Sequence, residues 1–368
     1  MIRINLYLNQ IPDMKKLSFL LILLAFACKE SSKENSPENL ENNKPEYFES
    51  VEAEVILEDD SLSVRAIEII GKNLAFAGNN GTYGLYDSAN NTWKTNIQKF
   101  DTLVPEYRAI ASTSNDFFML SVGSPALLYK TGNSGKMELV YKETHDKAFY
   151  DAMTFWNDNE GIAMGDPTDG CISIIITRDG GKSWSKVDCE NLPEAAEGEA
   201  AFAASNSNIA IQGNNTWILT GGTKSRILFS PDKGASWQLF ETPLLQGEPT
   251  TGGYSLDFYD DKNGIIIGGD YTNAEGNRGN KAVTADGGKT WELIAEGKDP
   301  GYKSSIRFVP DSNGKQILAT GFSGIHYSKD SGKSWKKLSE QGFYTLRFVN
   351  DTLAYAAGKG RIAKLIFR

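Results

Sequence analysis

The chain has 368 residues, 40% of them hydrophobic and 11% aromatic, and a formal net charge of −9. That length and composition allow one large buried core and exclude a collagen-like or wholly disordered chain. The negative charge excludes broad nucleic-acid binding, because a reader of phosphates needs a basic field. With 36 glycines against 12 prolines and short apolar runs broken by Gly, Asn, Asp and Ser, the pattern predicts an all-β fold.

The first element is Met14 to Cys28, MKKLSFLLILLAFAC, two lysines followed by an apolar run that stops at a cysteine. It reads as an export signal too short to span a bilayer, with Met14 as the expected start. The segment resembles a bacterial lipoprotein signal, although Ala25 and Phe26 depart from the usual residues. The resemblance implies that residues 1–28 are the signal and that Cys28 carries the lipid. Residues 29–46, KESSKENSPENLENNKPE, hold one hydrophobic residue, Leu40, and read as a disordered tether. Their acidic, lysine-bearing start resembles the surface-export signal of Bacteroidetes lipoproteins. The expected location is therefore the bacterial envelope, at the outer membrane and facing outward.

From residue 47 on, the chain repeats itself. TRDGGKSW (Thr177–Trp184), SPDKGASW (Ser230–Trp237), TADGGKTW (Thr284–Trp291) and SKDSGKSW (Ser328–Trp335) share one pattern of hydroxyl, Asp, Gly, hydroxyl and Trp. A tight hairpin explains each fixed position: the Asp accepts from turn amides, the Gly takes a positive φ, and the Trp packs between sheets. Two decayed copies precede them, YDSANNTW from Tyr86 and TGNSGKME from Thr131. The markers Asp87, Asn133, Asp179, Asp232, Asp286 and Asp330 are spaced 46, 46, 53, 54 and 44 residues apart, one four-stranded antiparallel unit each. Inner strands are expected near Val64, Tyr107, Tyr150, Glu199, Tyr254, Ser305 and Leu346. The last unit has only three strands of its own, so Val51–Leu57 is expected to close it. The expected fold is a seven-bladed β-propeller over residues 47–368.

The four repeats match the Asp box, or BNR repeat, found in sialidases and other propellers. Together with FYDAMTFW from Phe149, GIAMGDPTDG from Gly161, GEAAFAAS from Gly198, WILTGG from Trp217 and GIIIGGDY from Gly264, the sequence resembles bacterial relatives of the photosystem II stability and assembly factor. That resemblance implies a non-catalytic scaffold; some bacterial relatives are catalogued as oxidoreductases.

On the face opposite the boxes, the inner strands are expected to bring Arg65, Arg108, Asp151, Glu199, Tyr254, Arg307 and Arg347 towards a central funnel, with Asp166 and Asp270 from second strands. One reading is a site for an anion or peptide, since guanidinium groups fork onto carboxylates. The other is that these residues pair with each other and lock the blades. A sialidase-like glycosidase or lyase on the same face is the alternative function, though the Phe/Tyr-Arg-Ile-Pro signature is missing. Gly358–Ala363 has a nucleotide-like glycine spacing without a helix behind it. With two histidines, His145 and His326, no His-rich metal site is available, and neither metal nor cofactor is expected. Cys171 and Cys189 flank the third box, either as a cross-strand disulfide or as buried thiols. The expected protein is a monomer that binds an envelope protein or peptide and no nucleic acid.

Overall fold

The computed structural model describes residues 47–368; the export segment, Cys28 and the tether lie outside the described residues. Among the described residues every regular element is a strand except one 3-10 turn, Cys189–Asn191. Strand Val51–Ile70 serves two ladders. Its first half pairs with Lys359–Phe367, and its second half starts the antiparallel ladder continued by Asn73–Gly78, Thr82–Asp87 and Thr92–Ile97.

Later ladders repeat the meander. The second is Tyr107–Ser112, Phe117–Ser121, Ala126–Thr131 and Met137–Glu143. The third is Tyr150–Phe155, Gly161–Gly165, Ser173–Thr177 and Ser185–Lys186. Ile209–Gln212, Asn215–Leu219, Arg226–Ser230 and Gln238–Glu241 form the fourth. Thr251–Phe258, Gly264–Asp270, Lys281–Thr284 and Glu292–Leu293 form the fifth. Ser305–Phe308, Ile317–Gly321, Gly324–Ser328 and Lys336–Ser339 form the sixth. The last ladder is Thr345–Asn350, Leu353–Ala357 and Lys359–Phe367, completed by residues 51–58. Each leading strand lies beside the next, and Thr345–Asn350 lies beside Val51–Ile70.

This arrangement explains why second strands read as unbroken apolar runs. Ile265, Ile266 and Ile267 are all 0% exposed. Ile266 packs with Trp217 and Leu256, whereas Ile265 and Ile267 pack with Ile306 and Ile317 of the sixth ladder. A strand covered on both faces has no side left for polar alternation. Fourth strands, such as Thr92–Ile97, are mostly exposed and polar.

The four intact turns are built identically. In the third ladder Thr177 Oγ1 donates to Asp179 Oδ1 at 2.9 Å, and the Ser183 amide and hydroxyl donate to the same carboxylate at 3.0 and 2.7 Å. Asp232, Asp286 and Asp330 repeat the set with their own flanking hydroxyls. The repeat glycines 181, 234, 288 and 332 have φ between 75° and 85°. Asp87 keeps a simpler turn, accepting from the amides of Ala89 and Asn90. Asn133 is a correction: it is exposed and makes none of these bonds, in a turn one residue shorter in which Thr131 faces Met137.

Two further expectations need correcting. Glu199–Ala200 does not lead the fourth ladder; it pairs with Gly221–Gly222, which joins the fifth. The leading strand is Ile209–Gln212, since the preceding residues are diverted elsewhere. Cys171 and Cys189 form a disulfide with a Cα separation of 5.5 Å, but not between paired strands: Cys189 lies in the 3-10 turn and Cys171 makes an isolated bridge to Glu194.

Candidate functional site

Four leading strands carry the same defect. Val64 and Ala66 pair with Gly78 and Ala77, leaving Arg65 as an extra residue. Arg108, Asp151 and Tyr254 occupy the same place in the second, third and fifth ladders. A bulge of this kind breaks the alternation and re-aims one side chain.

The residues diverted from the fourth ladder lie where the leading strands meet. Arg65 Nη1 donates to the Ala204 carbonyl at 3.4 Å, and Asn206 donates to the Ile110 carbonyl at 2.8 Å while accepting from the Met153 amide at 2.9 Å. The Leu256 amide donates to the Ser207 carbonyl, Ser205 donates to the Ser304 carbonyl, and Thr345 Oγ1 donates to the Ser205 carbonyl. One segment, residues 202–208, thus bonds into or beside the leading strands of six ladders and closes the axis between them. Ser205, Ser207 and Asn208 are all 0% exposed.

On the near side of this plug lies a depression of about 380 Å³, lined by Arg65, Arg108, Phe202, Ala203, Ala204, Tyr254, Tyr271, Tyr302, Phe322 and Tyr344. Tyr254 stacks on Phe202 with ring centroids 3.9 Å apart and meets Tyr302 edge-on at 4.8 Å. Tyr302 and Phe322 are 5.3 Å apart. Tyr271 and Phe322 remain 47% and 49% exposed. The Arg65 guanidinium lies 4.1 Å from the Tyr344 ring centroid, its Nε lacks a hydrogen-bond partner, and burial with Arg108 nearby lowers its proton affinity. Arg108 Nε donates to Glu106 at 2.7 Å.

Of the nine residues expected at the funnel, the structure brings Arg65, Arg108 and Tyr254 together here. Asp151 is 0% exposed and neither carboxyl oxygen has a hydrogen-bond partner. Burial, then Asp166, push its pKa well above the ordinary range, against the pull of Arg108. Burial raises Asp166 to about 6, partly offset by the Ala201 amide bonded to it at 2.7 Å. The other four are corrections. Glu199 is 0% exposed at its side chain, ion-paired to Arg226 and accepting from Thr220 Oγ1 at 2.6 Å. Asp270 accepts from the amide and hydroxyl of Thr272 in its own turn. Arg307 and Arg347 bond the plug and the strands instead, at Ser207 Oγ and the Asn206 carbonyl. Burial and Arg307 lower Arg347, while Glu68 and Asp257 oppose that shift. None of these four pairs with another of the nine; each is held by a partner outside that set. His145 Nε2 lies 3.7 Å from Asp169 Oδ1.

Five aromatic wall residues were missed. The available signal was an aromatic residue where loops are otherwise polar: Tyr302 and Tyr344 just before leading strands, Tyr271 and Phe322 just after second strands. Phe202 could not be placed without knowing that its segment crosses the axis.

No protein-family model matches the sequence, and no curated protein matches it. Solved structures do. That of YCF48 bound to D1 peptide has a TM-score of 0.62 at 13% identity, over 87% of this chain and 97% of that one. YCF48 from Cyanidioschyzon merolae gives 0.63 at 12% identity, over 86% and 98%. The GH74 xyloglucanase from Xanthomonas campestris gives 0.61 at 13% identity; this chain, 85% of it, matches 53% of that enzyme. At such identities the likeness speaks for the fold alone. The protein is a β-propeller.

Proposed function

We propose that the chain is a seven-bladed propeller, closed by residues 51–58, that acts as a non-catalytic scaffold holding a peptide or protein partner in the aromatic and arginine depression. Pairing of residues 51–58 with Lys359–Phe367 supports the closure. The observation that carries the function is the depression itself: exposed Tyr271 and Phe322 rings lining it together with Arg65 and Arg108. Rings supply stacking area at little entropic cost, and free guanidinium N–H groups select carbonyl or carboxylate acceptors. A neighbour of this fold is described with a bound peptide. Cys28 would hold the scaffold at the envelope surface as a lipid-bearing monomer.

The test uses residues 47–368 against a peptide array from the organism's envelope proteins. Wild type captures a peptide set that an Arg65→Ala/Arg108→Ala variant loses at unchanged unfolding temperature. Equal capture by both sinks the reading. Glycoside hydrolysis remains the second reading, favoured by the Asp151 and Asp166 pair with Asp166 raised to about 6. Release of reducing ends from xyloglucan, abolished by Asp166→Asn, would install it instead.

A further inference from the structure

Two lysines among the described residues are buried, Lys281 at 0% and Lys303 at 1% exposure, although an ammonium is costly to take out of water. Lys281 is satisfied as a cation. Its Nζ donates to Asn280 Oδ1 and to the carbonyls of Lys298 and Pro300 at 2.7, 3.0 and 2.9 Å. Lys303 has a different set: its Nζ donates to the Tyr302 carbonyl at 3.2 Å and lies 2.7 Å from Ser323 Oγ. A neutral amine fits that set, with one N–H on the carbonyl and its lone pair turned to the hydroxyl. The groups facing Lys303 favour this form. Burial lowers it to about 8 against the pull of Glu275 and Asp299, with Lys337 and Lys281 adding to the shift. His326, paired across the ladder with Lys337, also faces it and is itself held neutral at ordinary pH. Apolar burial beside other cations is how an amine becomes a base near neutral pH.

The hydroxyl is fixed as firmly as the amine. Ser323 is the second residue of the two-residue turn between Ile317–Gly321 and Gly324–Ser328, with Gly321 opposite Gly324. Backbone packs closely around this turn: a Cβ on Gly324 would lie 2.3 Å from the Ser339 carbonyl oxygen, and one on Gly342 would lie 2.3 Å from that of Phe322. The stem of Lys303 rests on the same hairpin, where a Cβ on Gly321 would meet its Cδ at 3.3 Å. Ser323 itself is part-exposed, and Phe322 beside it is 49% exposed. A buried amine thus meets a hydroxyl that solvent can reach.

We propose that Ser323 and Lys303 form a nucleophile and its base, and that Ser323 takes an acyl group from an activated ester of a small apolar acid. Lys303 Nζ removes the Oγ proton as Oγ attacks the ester carbonyl carbon. The bond from Oγ to that carbon forms, the bond from carbon to the leaving oxygen breaks, and the proton passes from Nζ to the departing oxygen. Nothing is oxidised or reduced. The Phe322 ring offers the acyl body an apolar wall. The acyl group stays on Ser323, so the step is stoichiometric; it goes beyond the scaffold reading and does not depend on a partner in the depression.

The experiment treats residues 47–368, with no peptide present, with p-nitrophenyl acetate and follows acetylation of Ser323 by peptide mass mapping. Hydroxylamine removes an acetyl group from a serine oxygen and leaves one on a lysine nitrogen, which separates Ser323 from surface lysines. Wild type is expected to gain a hydroxylamine-labile acetyl group on Ser323, at a rate that rises with pH about a midpoint near 8 as Lys303 loses its proton. Lys303→Met removes the base and slows the reaction at least about a hundredfold, with folding checked by urea unfolding. Should that buried variant not fold, Lys337→Gln, on an exposed position, leaves the pair intact but removes a neighbouring cation, and the midpoint moves to higher pH. The proposal fails if Ser323 gains no hydroxylamine-labile acetyl group, if folded Lys303→Met reacts as fast as wild type, if the rate is flat across pH 6–9, or if Lys337→Gln leaves the midpoint in place.

Discussion

The repeat turns and the mouth of the axis are made by the same ladders and obey opposite rules. At the turns, Asp179, Asp232, Asp286 and Asp330 recur with the same hydroxyl partners and nearly the same distances. At the mouth the backbone device recurs, a bulge in four leading strands, but the residue it presents changes: Arg65, Arg108, Asp151, Tyr254. Constant residues in a constant geometry serve the fold. Varying residues on a constant geometry make one asymmetric surface from a repeated plan.

The largest expected effect tests whether the mouth depends on structural anchors of its own. Glu199→Ala strands Arg226, 10% exposed at its side chain, without its partner, and should cost about 3–5 kcal/mol in urea unfolding. A much smaller loss would mean that the segment leading to the plug is held by its other bonds.

A second effect separates the two regions by pH. His326 is surrounded by Lys281, Lys303 and Lys337, and its Nδ1 has no partner. Burial, then these lysines, lower it to about 3. The folded His therefore stays neutral where the unfolded one takes up a proton. The contribution of His326 is therefore flat above about pH 6.5 and falls below it, by about 2 kcal/mol at pH 5. His326→Leu should remove that slope in urea midpoints measured across pH 5–8.

The turns should respond less. Against the cost of burial, bonds from Thr290 and Thr284 lower Asp286 to about 2. A depressed carboxylate stabilises above its unfolded pKa, and that contribution is lost as pH falls through about 2. Asp286→Ala should cost about 1 kcal/mol by thermal unfolding at pH 7, with peptide capture intact. Smallest in stability is Arg108→Ala, which removes a part-exposed pair with Glu106 and should cost less than about 1 kcal/mol. If it also leaves peptide capture unchanged, the contrast between constant frame and variable mouth loses its functional meaning.

Much of the frame was legible because strand, turn and repeat signals are local. The Asp, Gly and Trp positions are dictated by hydrogen bonds and contacts that each hairpin makes with itself or its immediate neighbour. Arg65, Arg108 and Tyr254 were found for the same reason, as equivalent positions in successive repeats.

Tertiary structure decided the rest. Whether Glu199 faces a funnel or Arg226 depends on where residues 202–208 go, and that path is set by partners 50 to 140 residues away, such as Met153, Ile110 and Thr345. The rings of Phe202, Tyr271, Tyr302, Phe322 and Tyr344 form one surface only because loops from different ladders converge on the axis. No local rule encodes such a meeting, since its energy lies in contacts between residues that the chain itself keeps far apart.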